Sequence, residues 1–279
     1  MIFQFRQTSI DFTSAAATLM AIMNVTPDSF HDGGKLYNQL DNIVAYADRM
    51  IKDGADIIDI GGESTRPGAT PVSAEEELGR VMPVVELLIK EFGDSVVLSV
   101  DTLKPSVADA ALDAGVQIIN DVSGMSDEMF EVLAKHKCPC YVLTHPGYDI
   151  PKNSADTDIN QALLPDMISW FKKKIDRLNS VGITQIIIDP GFGFHKTMAD
   201  NYYILNNLDF FKRLGLPILV GMSHKSMIGK VLPPDCDRLS GTLALNTIAI
   251  TKGASILRVH DIEPHTNVLR VLDALNKYN

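Results

Sequence analysis

Three acceptor-bearing residues, Asp101, Asn120 and Asp189, each close or nearly close a short apolar run of the chain. Asn24 closes another, and Arg258 with His260 closes the last. Lys225 follows the apolar stretch Ile218-Leu219-Val220-Gly221 across a short polar break, Met222-Ser223-His224, with Ser226 behind it. These types divide by chemistry. Carboxylates and an amide offer acceptors to a ring edge rich in N–H donors. Arginine presents a rigid fork that fits phosphate bidentately, and Asn24 and His260 are donors or metal-capable groups. Together they describe a site with an anion end and an end that accepts hydrogen bonds, with Lys225 a cation at a strand end. Each residue also has an ordinary reading by itself. Arg258 has Asp261 and Glu263 nearby for a salt bridge, His260 can be a satisfied, partly buried histidine, and Asp28 and Asp121 suit helix N-caps. Convergence at so many strand ends favours one composite site.

Such convergence needs a scaffold whose strands all end on one face. Apolar, β-branched runs recur at Leu19–Asn24, Asp56–Gly61, Val96–Asp101, Gln117–Asp121, Cys140–His145, Gln185–Asp189, Pro217–Gly221 and Ser255–His260. Helix-like segments separate them. Val44, Ala47, Ile51 and Ala55 repeat at helical spacing, as do Leu78, Met82, Val85 and Leu88. Ser73 ahead of Glu75-Glu76-Glu77 reads as an N-cap with acids in the first turn. Ser106–Ala114 stops at Gly115, and Lys172–Val181 stops at Gly182. Alternating strands and helices predict parallel βαβ units. Eight of them fit a single-domain (β/α)8 TIM barrel over residues 1–279, with the active site at the C-terminal ends of the strands. The loops after the first two strands hold Pro27, Gly33-Gly34, Pro67, Gly68 and Pro71 and are long enough to serve as lids. The run Ser240–Ile250 is apolar around much of its circumference, which suits a buried helix or a subunit interface.

Bulk properties narrow the class. The 279 residues carry a formal net charge of -10, which disfavours general binding to nucleic acid or an anionic membrane. A small anionic substrate remains compatible through a local basic site. Three cysteines are too few for a disulfide framework, and Cys138, Cys140 and Cys236 read as buried free thiols in a reducing compartment. The apolar run Ala15–Met23 is too short to span a membrane, so a soluble cytoplasmic protein is expected.

Motif checks exclude several chemistries. Gly191-Phe192-Gly193-Phe194-His195-Lys196 opens like a dinucleotide fingerprint, but Lys196 stands where the third glycine belongs. No Walker, HExxH or G-x-S-x-G motif is present. The segments Asn24-Val25-Thr26-Pro27-Asp28-Ser29-Phe30, Asp59-Ile60-Gly61-Gly62-Glu63-Ser64-Thr65-Arg66-Pro67-Gly68, Ser99-Val100-Asp101-Thr102, Ile119-Asn120-Asp121, Asp189-Pro190-Gly191-Phe192-Gly193-Phe194, Lys225-Ser226 and Arg258-Val259-His260-Asp261 occur in that order. In this they resemble the dihydropteroate synthase family over nearly the whole chain.

The resemblance implies condensation of 6-hydroxymethyl-7,8-dihydropterin diphosphate with p-aminobenzoate by a Mg²⁺-assisted, SN1-like displacement. It implies that Asp101, Asn120, Asp189 and Lys225 hold the pterin, with Asp101, Asp189, Lys225 and Arg258 carrying the catalysis. Asn24 with Mg²⁺, Arg258 and His260 would take the diphosphate. Thr65, Arg66, Pro67, Phe194 and Ser226 would border the p-aminobenzoate pocket beside Lys225. A homodimer and competition by sulfonamides are further implications. The chain departs from the family pattern at three places. Leu143-Thr144-His145-Pro146-Gly147-Tyr148 replaces a Met-His and a Gln-Gly-containing loop, His195 replaces a usual glycine, and His224 replaces a usual arginine. Alternatives are a pterin-binding methyltransferase-type barrel, or a pterin-binding homologue with little turnover. The first needs neither the Thr65-Arg66-Pro67 stretch nor the Arg258-Val259-His260 stretch.

Overall fold

Eight strands wind into one parallel sheet in the computed structural model, which describes residues 1–13, 17–26, 40–63, 70–148 and 162–278. The barrel strands are β3 (Thr18–Asn24), β4 (Ile57–Gly61), β5 (Val97–Asp101), β6 (Ile118–Asp121), β7 (Cys140–Thr144), β8 (Ile186–Asp189), β9 (Leu219–Val220) and β10 (Ile256–Val259). Their order is β8-β7-β6-β5-β4-β3-β10-β9, and a parallel bridge between Ile188 and Ile218 closes the ring. Every expected strand is present. The seventh shrinks to two residues, with Gly221 lying beyond it.

Nearly every residue of these strands is buried, because the inner side faces the barrel interior and the outer side meets the helices. Alternation still sorts them. Met20, Ile57, Val97, Ile118, Cys140, Val142, Ile187, Leu219 and Ile256 pack together inside the barrel. Their neighbours along the strands, such as Leu19, Ile58, Leu98, Ile119, Tyr141 and Leu257, join the outer core with the helices. The inward parity therefore runs apolar at the base and polar at the top. From it come Asn24, Asp59, Asp101, Asn120, Asp189 and Arg258.

The base is closed by an element that the sequence did not announce. A hairpin of β1 (Ile2–Phe5) and β2 (Thr8–Asp11) brings Phe3, Phe5 and Phe12 against the inner cluster. Phe3 and Phe12 meet edge to face with centroids 5.1 Å apart.

Surrounding helices are α1 (Leu40–Lys52), α2 (Ala74–Phe92), α3 (Pro105–Ala114), α4 (Asp127–His136), α5 (Leu163–Ser180), α6 (Met198–Asn206), the single turn α7 (Ser226–Gly229), α8 (Leu239–Thr251) and α9 (Ile262–Lys277). Ser73 caps α2 as expected, its hydroxyl accepting from Glu76 N at 3.1 Å. The expected helices Ser106–Ala114 and Lys172–Val181 lie within α3 and along the second half of α5. Helix α8 faces its polar residues inward. Thr242, Asn246 and Ala249 are buried, while Ile248 is exposed.

Candidate active site

The top of the barrel gathers inward polar residues from β3, β4, β5, β6, β7, β8 and β10. Register places Asp59 beside Ile22 and Ser99, Asp101 beside Gly61 and Asn120, and Asp189 beside Thr144. Arg258 reaches from β10 into this ring. Its Nε donates to Asp59 Oδ2 and its Nη2 to Asp101 Oδ2, each at 2.6 Å. The same Asp59 oxygen accepts from Asn120 Nδ2 at 2.8 Å. Arg258 thus pairs inside the barrel, and not with Asp261 or Glu263 along its own strand end.

Burial sets the titration of these groups. Desolvation pushes the Asp101 carboxyl up to about 7, against the lowering effect of Arg258 and with help from the nearby charge of Asp59. Asp189 is also raised, by burial first, while Lys225 and the Gly191 N–H oppose the shift. Burial lowers the Lys225 ammonium to about 8, with Asp189 acting in the opposite direction. Arg258 is raised by its carboxylate partners despite desolvation. Asp59 Oδ1, Asp101 Oδ1, Ser99 Oγ and Thr144 Oγ1 are buried without a hydrogen-bond partner. These four share the inward parity. Buried acceptors left open in this way sit ready for a ligand's N–H groups.

Lys225 is held against the loop after β8. Its Nζ donates to Phe192 O and lies 4.5 Å from the Phe194 ring centroid. Gly193 makes that possible. It has φ 81°, and a Cβ there would meet Lys225 Cδ at 3.1 Å. Asn24 lies over Gly61, where an added Cβ would be 3.4 Å from Asn24 Oδ1 and 3.6 Å from Asp101 Cβ. His260 Nδ1 lies 2.9 Å from Ser223 Oγ. Ser226 is exposed at the start of α7. Thr65, Arg66 and Pro67, expected at the p-aminobenzoate border, lie outside the described residues, as do Pro27, Asp28 and Gly33-Gly34.

Two polar strand ends belong elsewhere. His145 has the outward parity, and its ring packs on Trp170 and Phe171 of α5 at 4.9 and 6.0 Å between centroids. Burial holds it near 3, hence neutral. Asp121 also faces outward and ties Ser123 N, Met125 N and Tyr141 Oη. Glu63 accepts from Lys104 Nζ at 2.5 Å and from Val72 N at 3.1 Å, and buried Glu77 of α2 shares the same lysine.

Asp59, Ser223 and Lys196 were missed as functional residues. Asp59 carried a signal, being a charge in the middle of an apolar strand two positions before a glycine. Lys196 had none, since its partners are backbone. Its Nζ donates to His145 O at 3.0 Å, Gly191 O at 2.9 Å and Phe194 O at 3.3 Å. That joins the loop after β8 to the loop after β7.

For a metal, the mouth offers chiefly the amide oxygen of Asn24, a hard donor of the kind magnesium takes together with phosphate oxygens and water. Among the described residues, the compact His and carboxylate group is Asp109, Asp113 and His136, on α3 and α4. Lys135 occupies Asp109 there at 2.7 Å.

Comparison with known proteins adds the chemistry that such a mouth serves. Residues 20–260 match the family described as pterin binding enzyme. Dihydropteroate synthase of Bacillus subtilis is 47% identical over 266 residues, covering 93% of this chain and 89% of that protein. The crystal structure of Yersinia pestis dihydropteroate synthase with a sulfonamide drug complex superposes with a TM-score of 0.87 at 40% identity, covering 99% of this chain and 100% of that one. The Xanthomonas albilineans dihydropteroate synthase with 4-aminobenzoic acid gives a TM-score of 0.86 at 36% identity, over 99% and 98% of the two chains.

Proposed function

The chain belongs to the pterin-binding enzyme family, among the dihydropteroate synthases, and from that premise we propose how its barrel mouth does the chemistry. The reaction joins 6-hydroxymethyl-7,8-dihydropterin diphosphate to p-aminobenzoate and yields 7,8-dihydropteroate and diphosphate. Asp101, Asn120 and Asp189 take the pterin, whose amino and ring N–H groups donate to their side-chain oxygens, the open Oδ1 of Asp101 among them. Lys225 donates to the pterin carbonyl and ring nitrogen. Arg258, anchored by Asp59 and Asp101, uses its remaining N–H groups with His260 and Asn24 on the diphosphate. A guanidinium has five N–H donors, so the two carboxylates occupy only part of the fork. Phe194 and Ser226 border p-aminobenzoate, together with Thr65, Arg66 and Pro67.

Asn24 is the residue that would hold Mg²⁺, which neutralises charge on the diphosphate when bound. The protein's own groups do the rest. Arg258 and His260 meet charge as it grows on the leaving oxygen. Asp101 and Asp189, at the ring edge, stabilise the pterin-methyl cation left behind. The amine of p-aminobenzoate then attacks that carbon and loses a proton, with no protein nucleophile in the path. Diphosphate release in the absence of p-aminobenzoate supports this order, and a covalent pterin adduct on the protein contradicts it.

The observation that carries the reading is the set of buried, unpartnered acceptors at the mouth beside the Arg258 cation. The same pocket predicts that sulfonamides compete with p-aminobenzoate. We also propose a homodimer through α8 and α9, because Ile248 on α8 and Val271 and Leu275 on α9 are exposed apolar side chains on neighbouring helices. Replacing Val271 and Leu275 by glutamate should then yield monomers in sedimentation. A cytoplasmic location fits the free thiols, of which Cys138 and Cys140 are buried as expected and Cys236, against expectation, is exposed. No helix among the described residues is long and apolar enough to cross a membrane.

A further inference from the structure

His224 stands between two residues of the mouth. Ser223 contacts His260, and Lys225 reaches the loop after β8. Lys225 N donates to Met222 O at 3.1 Å, closing a turn with His224 at its third position. His224 has φ 55° there. That is the left-handed region, where a Cβ crowds the carbonyl and glycine or asparagine is the usual choice. A histidine keeps such a conformation only where its surroundings impose it.

Three contacts impose it. The His224 N–H donates to Thr242 Oγ1 at 3.2 Å, and its carbonyl accepts from Arg238 Nη1 at 2.8 Å. Its ring Nε2 lies 2.6 Å from Asp261 Oδ2. The first two need only a backbone, and glycine would supply it without strain. The third is the part that needs the side chain. Asp261 is itself held, because its carbonyl meets His265 Nδ1 at 2.6 Å, and His265 Nε2 lies 2.9 Å from Asn246 Nδ2 of α8.

We propose that His224 is a positioning residue. Its pair with Asp261 ties the turn after β9 to the segment after β10. That tie aims Lys225 and Ser226 at p-aminobenzoate while Ser223 steadies His260. The inference rests on the function given above and deepens it.

Glycine separates the two roles of His224. His224→Gly relieves the backbone and removes the tie to Asp261. The expected result is a melting temperature at or above that of the parent and a KM for p-aminobenzoate raised roughly five- to tenfold, with kcat within about twofold. Asp261→Ala should raise KM for p-aminobenzoate to the same extent, and the double variant should have a KM no higher than either single one. His224→Arg, which can still reach Asp261, should restore KM. A parental KM in His224→Gly would overturn the proposal, as would additive effects in the double variant or no rescue by arginine. The parent protein is assayed alongside. If it makes no dihydropteroate, the function is what fails.

Discussion

Arg258 Nε lies 2.6 Å from Asp59 Oδ2, across the barrel mouth from β10 to β4 with β3 between them. Asp59 is wholly buried, and the same oxygen also holds Asn120. One carboxylate therefore holds both the cation proposed for the leaving group and the amide proposed for the ring. Removing one partner of a buried ion pair is costly because the other charge stays behind. Asp59→Asn keeps the shape and drops the charge. It should lower kcat/KM for the pterin diphosphate about thirtyfold, equivalent to about 2 kcal/mol of lost transition-state stabilisation. Steady-state kinetics on folded protein, checked by circular dichroism, measures this. An unchanged kcat/KM would show that Asp59 does not orient the site.

Two titrations should frame the pH profile. In the proposed binding mode the pterin edge donates to Asp101 and needs it ionised, and that carboxyl is raised to about 7 by burial. Lys225 must be charged, and burial lowers it to about 8. For the free enzyme, kcat/KM should therefore rise as pH climbs through about 7 and fall above about 8, since this ratio reports the free enzyme's groups. A flat profile from pH 5.5 to 9.5 would contradict the pairing of roles.

Lys196 gives a third expectation. Its three carbonyl partners match the three donors of an ammonium. Lys196→Met leaves buried carbonyls without a donor and frees the loop that carries Phe194. Stability should fall by about 3 kcal/mol in denaturant unfolding. The KM for p-aminobenzoate should rise with it. Parental stability would mean the clamp contributes nothing.

The hairpin at the barrel base should act on stability alone. Phe5 is almost fully buried against the inner apolar cluster. Phe5→Ala should cost about 3–5 kcal/mol, the range for emptying a phenylalanine site. KM values for both substrates, measured well below the melting temperature, should not move. A kinetic effect would link the base to the mouth and contradict that separation.

Much of this was legible in the residues. Buried parallel strands need apolar runs, and runs that end in Asp101, Asn120 or Asp189 break that pattern at their last residues. The register then turned those ends into one ring. Four things escaped for physical reasons. The hairpin strands are short, and β2 alternates only between half-buried and exposed positions, so its period carried little signal. His145 ends a strand as the others do, and only strand parity sends it outward to Trp170. Lys196 acts through backbone carbonyls, which leave no mark in side-chain types. His224 looked like a substituted arginine until the left-handed turn and Asp261 gave its ring a partner.

The most direct measurement is product formation from pterin diphosphate, p-aminobenzoate and Mg²⁺, followed by mass spectrometry for the parent, Asp101→Asn and Lys225→Ala. The account predicts dihydropteroate and diphosphate in equal amounts from the parent, and losses on the order of a hundredfold or more in both variants. No dihydropteroate from the parent at any substrate concentration, or full activity in either variant, would contradict it.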